Sequence, residues 1–163
     1  MINFAAVSAS DLQRHNEHFP SESDLTLQVL KGHLLVEELL RELFVLQLKF
    51  PSALKGKGGT KLDCHQIICL AQAITPHSDN EAWLWLAARK LNKIRNNLAH
   101  KLSHESLGQE VANLIQYVMA ANQSINQDIS DLEIPKSYEF ELVIMSMCTC
   151  LSALKAVIAH KHN

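Results

Sequence analysis

Arg95, Asn96 and His100 are the residues of this chain whose types could act together on a substrate. They lie in the run Lys90-Leu91-Asn92-Lys93-Ile94-Arg95-Asn96-Asn97-Leu98-Ala99-His100-Lys101. An RNA strand can be cut at its own 2′-hydroxyl without a metal, provided one group takes that proton and another stabilises charge on the phosphate. Imidazole suits the first task because its pKa lies near neutrality. Guanidinium suits the second, being permanently charged and shaped to hold two phosphate oxygens. Two successive asparagines, Asn96 and Asn97, stand where a plain surface helix would carry Glu and Lys pairs. Asparagine is a weak helix former, so the pair has a local cost that points to a role.

The element that must position these groups is an amphipathic helix. Leu84, Ala87, Leu91, Ile94 and Leu98 alternate at spacings of three and four, which makes one apolar stripe. Five residues along a regular helix turn the side-chain direction by about 140°, so Arg95 and His100 do not share a face, whereas Asn96 and His100 do. A single helix therefore presents Arg95 and His100 poorly to one phosphate unless it unwinds near Ala99. Two copies meeting across a twofold axis could combine them. The competing structural reading pairs Arg95 with Glu37 or Glu38, sets His100 at the helix end beside its dipole, and uses the asparagines within the bundle.

Arg95-Asn96-Asn97-Leu98-Ala99-His100, late in an amphipathic helix, resembles the Arg-x4-His signature of the HEPN superfamily. The resemblance covers this hexapeptide and the helical layout around it. It implies an all-α, HEPN-like bundle and metal-independent endoribonuclease activity, in a toxin, defence or RNA-processing role. In that reading His100 is acid or base, Arg95 binds the phosphate, and Asn96 holds the imidazole or a phosphate oxygen. Lys90, Lys93, Asn97 and Lys101 are the expected substrate contacts, and the protein is a homodimer with a composite cleft. The antitoxin-paired branch typically carries a Tyr two residues after the His. Leu102 stands there, so silencing by modification at that site is not open to this chain. A second resemblance, to mannitol operon repressor relatives, rests on Gly32-His33-Leu34-Leu35-Val36-Glu37-Glu38-Leu39-Leu40 and the same motif. It implies a non-catalytic module acting in transcriptional regulation through a protein partner.

Composition sets the bounds. The 163 residues are 47% hydrophobic and 6% aromatic, with five Gly and four Pro. This suits one all-α bundle of five or six helices, with residues 1–22 as a lead-in and 23–163 as the domain. Net charge is -2, which argues against indiscriminate nucleic-acid binding. The charge is unevenly placed. From Lys49 to Lys101 nine basic residues face three acidic ones, and the remainder of the chain is acidic. No signal peptide and no apolar run of membrane-spanning length are expected, so the reading is soluble and cytoplasmic. Cys64, Cys69, Cys148 and Cys150 lack zinc-knuckle spacing and are expected as buried free thiols. The nine histidines are scattered, and neither a metal nor a cofactor is expected.

Along the chain, Asp11 could cap a short helix, while His15, His18 and Pro20 read as loop. The longest helix is expected from Ser23 or Asp24 to Phe50, stopped by Pro51 and apolar on two sides. Gly32 inside it implies close approach of another helix, and Glu37, Glu38 and Glu42 are expected to face solvent. A basic loop, Ser52 to Thr60, precedes a helix from Lys61 to Ile74. Ser78 and Glu81 are spaced as a capping box for the motif helix. A helix from Ser103 or His104 to Asp128, a link to Pro135, and a last helix from Ser137 with the stripe Phe140, Ile144, Met147, Leu151, Leu154 and Ile158 complete the layout.

Overall fold

The computed structural model describes residues 9–20, 24–55, 62–100, 106–122 and 135–161. They form six α-helices, and no strand occurs among the described residues: α1 (Ala9–His18), α2 (Leu25–Leu46), α3 (Cys64–Ile74), α4 (Ala82–His100), α5 (Leu107–Ala121) and α6 (Glu139–Lys161). The protein is an all-α helical bundle. The helix α2 lies at its centre and packs on α1, α3, α4 and α6, while α4 also carries α5.

The apolar pattern explains α2. Val29, Val36, Leu39, Leu40 and Leu43 are all but inaccessible, while Leu27, Leu30 and Leu34, and Val45 and Leu46 in the last turn, are left outward. Asp24 caps its start by accepting from the Leu27 amide. Gly32 meets the expected close approach, because a Cβ there would sit 2.9 Å from Ile144 Cγ1 of α6. The helix ends at Leu46 rather than Phe50. Its last turn tightens, with Gln47 and Leu48 amides donating three residues back, and Gln47 Nε2 donates to Leu43 O and to Thr75 Oγ1. Phe50, expected as the last residue of this helix, is 68% exposed. The chain continues as a 3-10 turn, Pro51–Lys55, and the Gly-rich remainder of the expected basic loop lies outside the described residues.

Other expectations shift by a few residues for identifiable reasons. The lead-in carries α1, whose Asp11 and His15 are buried, with Phe19 just beyond it. Asp11 accepts from Ser152 Oγ and from Lys155 Nζ of α6, and Lys155 also reaches Glu42 of α2. Residues 9–20 therefore belong to the bundle. The capping box sits at α3, where Asp63 and Gln66 exchange bonds. Before α4 there is instead a 3-10 turn, Ser78–Glu81. There the Glu81 carboxylate accepts from Trp83 Nε1 and the Ser78 carbonyl accepts from Trp85 Nε1. The expected start of the fifth helix, its end at Asp128 and the link from there lie outside the described residues.

In α6 the expected stripe is buried at Phe140, Ile144, Met147, Leu151 and Ile158, and Leu154 packs against it. Lys136–His160 is also long and apolar enough, by length and composition, to cross a membrane, contrary to the expectation that no run reaches that length. More than half of that window is buried inside the bundle, as in a core helix.

Candidate functional site

Helix α4 stays regular to His100, so it does not unwind near Ala99. Leu84, Ala87, Leu91 and Ile94 hold it in the core, with Trp85 fully buried beside them. Arg95 and His100 emerge exposed, and Asn96, Asn97 and Leu98 are half-buried. Arg95 Nη1 donates to Asn96 Oδ1 at 3.1 Å, and among the described residues no carboxylate pairs with it. The two acids expected as rivals for Arg95 are engaged elsewhere. Glu37 is held by Arg41 at 2.5 Å, and Glu38 lies 3.7 Å from Arg14. Glu42 bridges Arg14 and Lys155. Glu37 and Glu42 are thus half-buried ion-pair members, not the solvent-facing residues expected, while Glu38 is exposed.

The other expected contacts divide. Lys93 is exposed. The Lys90 ammonium lies 5.3 Å from the Tyr117 ring centroid, a cation–π contact with α5. Asn97 Nδ2 donates to Glu110 Oε2 at 2.7 Å, and Glu110 also accepts from Ser106, so this amide ties α4 to α5. Lys101 and Leu102 lie outside the described residues. One chain therefore brings Arg95 and Asn96 together but leaves His100 about 140° from Arg95 around the helix.

Spacing along the chain did not reveal the polar cluster beneath Arg95. His33 is 3% exposed, and its Nε2 lies 3.1 Å from Oδ1 of buried Asn92, one turn before Asn96. Its Nδ1 is 3.6 Å from Glu37 Oε2. Arg41 binds the other carboxylate oxygen of Glu37 and donates to the Leu62 carbonyl just ahead of α3. The Cys64 thiol, at the start of α3, completes the group, with one donor atom each of His33, Glu37 and Cys64 within 4.8 Å of the others. Burial pushes the His33 pKa down; the Asn92 hydrogen bond and Glu37 oppose this, and the Arg95 and Arg41 charges add to it. Burial, reinforced by Glu37, pushes the Cys64 thiol up to about 12, and Arg41 and Arg95 pull the other way. The signal that could have found the cluster is His33 and Glu37 four residues apart on one helix face. Arg41 also borders a cleft of about 590 Å³ lined by Phe44, Val45, Leu54, Leu62, Asp63 and Ile67.

No known family model matches the chain, and no curated protein or solved structure is significantly similar to it. The resemblance to the HEPN signature therefore rests on residues 95 to 100 and on the helical fold.

Proposed function

We propose that this chain is a HEPN-like, metal-independent endoribonuclease that cleaves RNA through the 2′-hydroxyl and works as a homodimer. The observation that carries this reading is the state of Arg95: an exposed guanidinium with no carboxylate partner among the described residues, steadied by Asn96. An arginine in that condition is free to take a phosphate in the two-point manner that suits its geometry. His100 of one copy supplies the acid or base, and Arg95 with Asn96 of the other supplies the phosphate contact. The regular helix favours this division across a twofold, since within one copy the two groups point apart.

The test is a defined RNA incubated with the protein in EDTA. Wild type is expected to cut it, and His100→Ala and Arg95→Lys are expected not to. An ammonium keeps the charge but cannot make the paired contact. Mixing His100→Ala with Arg95→Lys should restore part of the activity, because one composite site of the mixed dimer is intact. Intact RNA under all conditions would overturn the reading. The alternative is a non-catalytic regulatory or protein-interaction module resembling the mannitol operon repressor family. The use of Asn97 to tie α4 to α5 favours it, and capture of a protein partner without RNA cleavage would support it.

A further inference from the structure

The cluster beneath Arg95 has the chemistry of a metal site. His33 and Glu37 project from one face of α2, one turn apart, and Cys64 faces them from the first turn of α3. Imidazole, carboxylate and thiolate form a donor set suited to zinc and its neighbours among the divalent transition metals. A tetrahedral ion of this class bonds its ligands at about 2.0–2.3 Å, which sets neighbouring donors roughly 3.3–3.8 Å apart. His33 Nδ1 and Glu37 Oε2 already stand 3.6 Å apart, so the site needs only the Cys64 side chain to close in.

The groups around the trio are those a ligand set requires. With Asn92 Oδ1 at 3.1 Å from Nε2, the His33 tautomer that donates from Nε2 leaves the Nδ1 lone pair on the side of Glu37, 3.6 Å away. A metal-bound histidine is oriented in this way, by donating its other ring N–H to an oxygen. Arg41 holds Glu37 through Oε1 and leaves Oε2 toward the imidazole. Two acceptors thus lie close together, and a cation held between them would relieve the repulsion.

We propose that His33, Glu37 and Cys64 form a three-ligand site for a zinc-class divalent ion, clamping α2 to the start of α3. Binding expels the Cys64 proton to solvent, so affinity rises with pH. The fourth position is open to water, because Glu37 and Cys64 are only half-buried. Metal binding here does not require RNA cleavage, and its test uses no RNA.

The experiment titrates the reduced, EDTA-stripped full chain with Co²⁺ alone. One equivalent is expected to bind, with a thiolate-to-cobalt charge-transfer band and the visible bands of four-coordinate cobalt, all abolished by added Zn²⁺. Cys64→Ser is expected to remove the charge-transfer band, and Glu37→Gln to weaken binding by about tenfold or more. Circular dichroism confirms that the variants are folded, and if Cys64→Ser is not, Glu37→Gln decides alone. Cys69→Ser is expected to leave the spectrum unchanged. Its sulfur lies 3.7 Å from His65 Nε2 on the outer side of α3, which makes that pair the internal control. Absence of the band in wild type, unchanged Co²⁺ affinity in Glu37→Gln, or loss of the band in Cys69→Ser rather than Cys64→Ser would overturn the proposal.

Discussion

Adding one carbon at Gly32 tests the packing on which the bundle is centred. A Cβ there would lie 2.9 Å from Ile144 Cγ1, 3.1 Å from Ile144 Cδ1 and 3.4 Å from Phe19 Cε2. Relaxed carbon contacts stand at about 3.5–4.0 Å, so the first two are too close by roughly half an ångström. Neither neighbour can move freely. Ile144 is fully buried and β-branched within α6, and Phe19 is stacked on His15 and set against Phe140. Overpacking of this kind costs about 1–3 kcal/mol, and the better helix propensity of Ala returns about 1 kcal/mol. Gly32→Ala is therefore expected to destabilise the protein by about 1 kcal/mol, read from urea unfolding as a lower midpoint with an unchanged slope. Ile144→Ala alone should cost about 2–5 kcal/mol. In that background Gly32→Ala should become neutral or stabilising, because the space it needs has been vacated. A Gly32→Ala protein more stable than wild type by about the full propensity gain would refute close approach as the reason for the glycine.

Three further outcomes follow from buried and exposed polar groups. His15 is 2% exposed, and neither ring nitrogen has a hydrogen-bond partner. Burial depresses its pKa below 6.5, with Glu141 opposing, and His33 is shifted the same way. The unfolded chain then binds protons that the folded chain refuses. Stability should be full above about pH 6.5 and fall as pH drops toward the folded values, by at most about 1.4 kcal/mol per pH unit per histidine. Melting temperatures across that window should show the fall, and His15→Phe should leave only the share due to His33. Asp11→Ala should cost about 1–3 kcal/mol in urea unfolding by stranding Ser152 Oγ, while Lys155 keeps Glu42, and Asp11→Asn should recover part of the loss. His100→Ala removes an exposed side chain at a helix end, so its stability should stay within about 0.5 kcal/mol of wild type even where cleavage is lost.

How far the sequence foretold this structure depends on which force held each element. Where apolar burial did, as in α4 and α6, period alone located the stripes, and the stripe Phe140 to Ile158 is buried nearly as written. The end of α2 was hidden because Leu48 and Phe50 continue its apolar pattern past the real stop, which is set by a tightened last turn and by Gln47. Helix α1 was only half legible, a short helix allowed at Asp11 but His15 and His18 read as loop, for the opposite reason. Its attachment runs through Asp11, whose partners Ser152 and Lys155 lie more than a hundred positions away, and no local period records such a bond. The site divides likewise: the exposed Arg95 and His100 were legible from residue type, whereas His33 and Asn92 meet across 59 positions.

Asn92, Asn96 and His100 are spaced by four along α4, and each step drifts about 40° around the helix. The row accordingly passes from buried Asn92 through half-buried Asn96 to exposed His100. It joins the cluster around His33 to the open end of the helix, and Arg95 is fastened to its middle member. The Arg95 charge is felt at both His33 and Cys64, where it works against added positive charge. A divalent ion on His33, Glu37 and Cys64 must therefore bind against that guanidinium. Arg95→Gln removes the charge and leaves all three ligands, Asn92 and Arg41 in place, so Co²⁺ affinity should rise a few-fold. The gain should shrink as salt is added, because Arg95 is exposed and part of its field passes through solvent. Unchanged Co²⁺ binding in Arg95→Gln would separate the two sites, leaving Arg95 to answer only to what docks at the end of α4, and weaker binding would overturn the sign of the coupling.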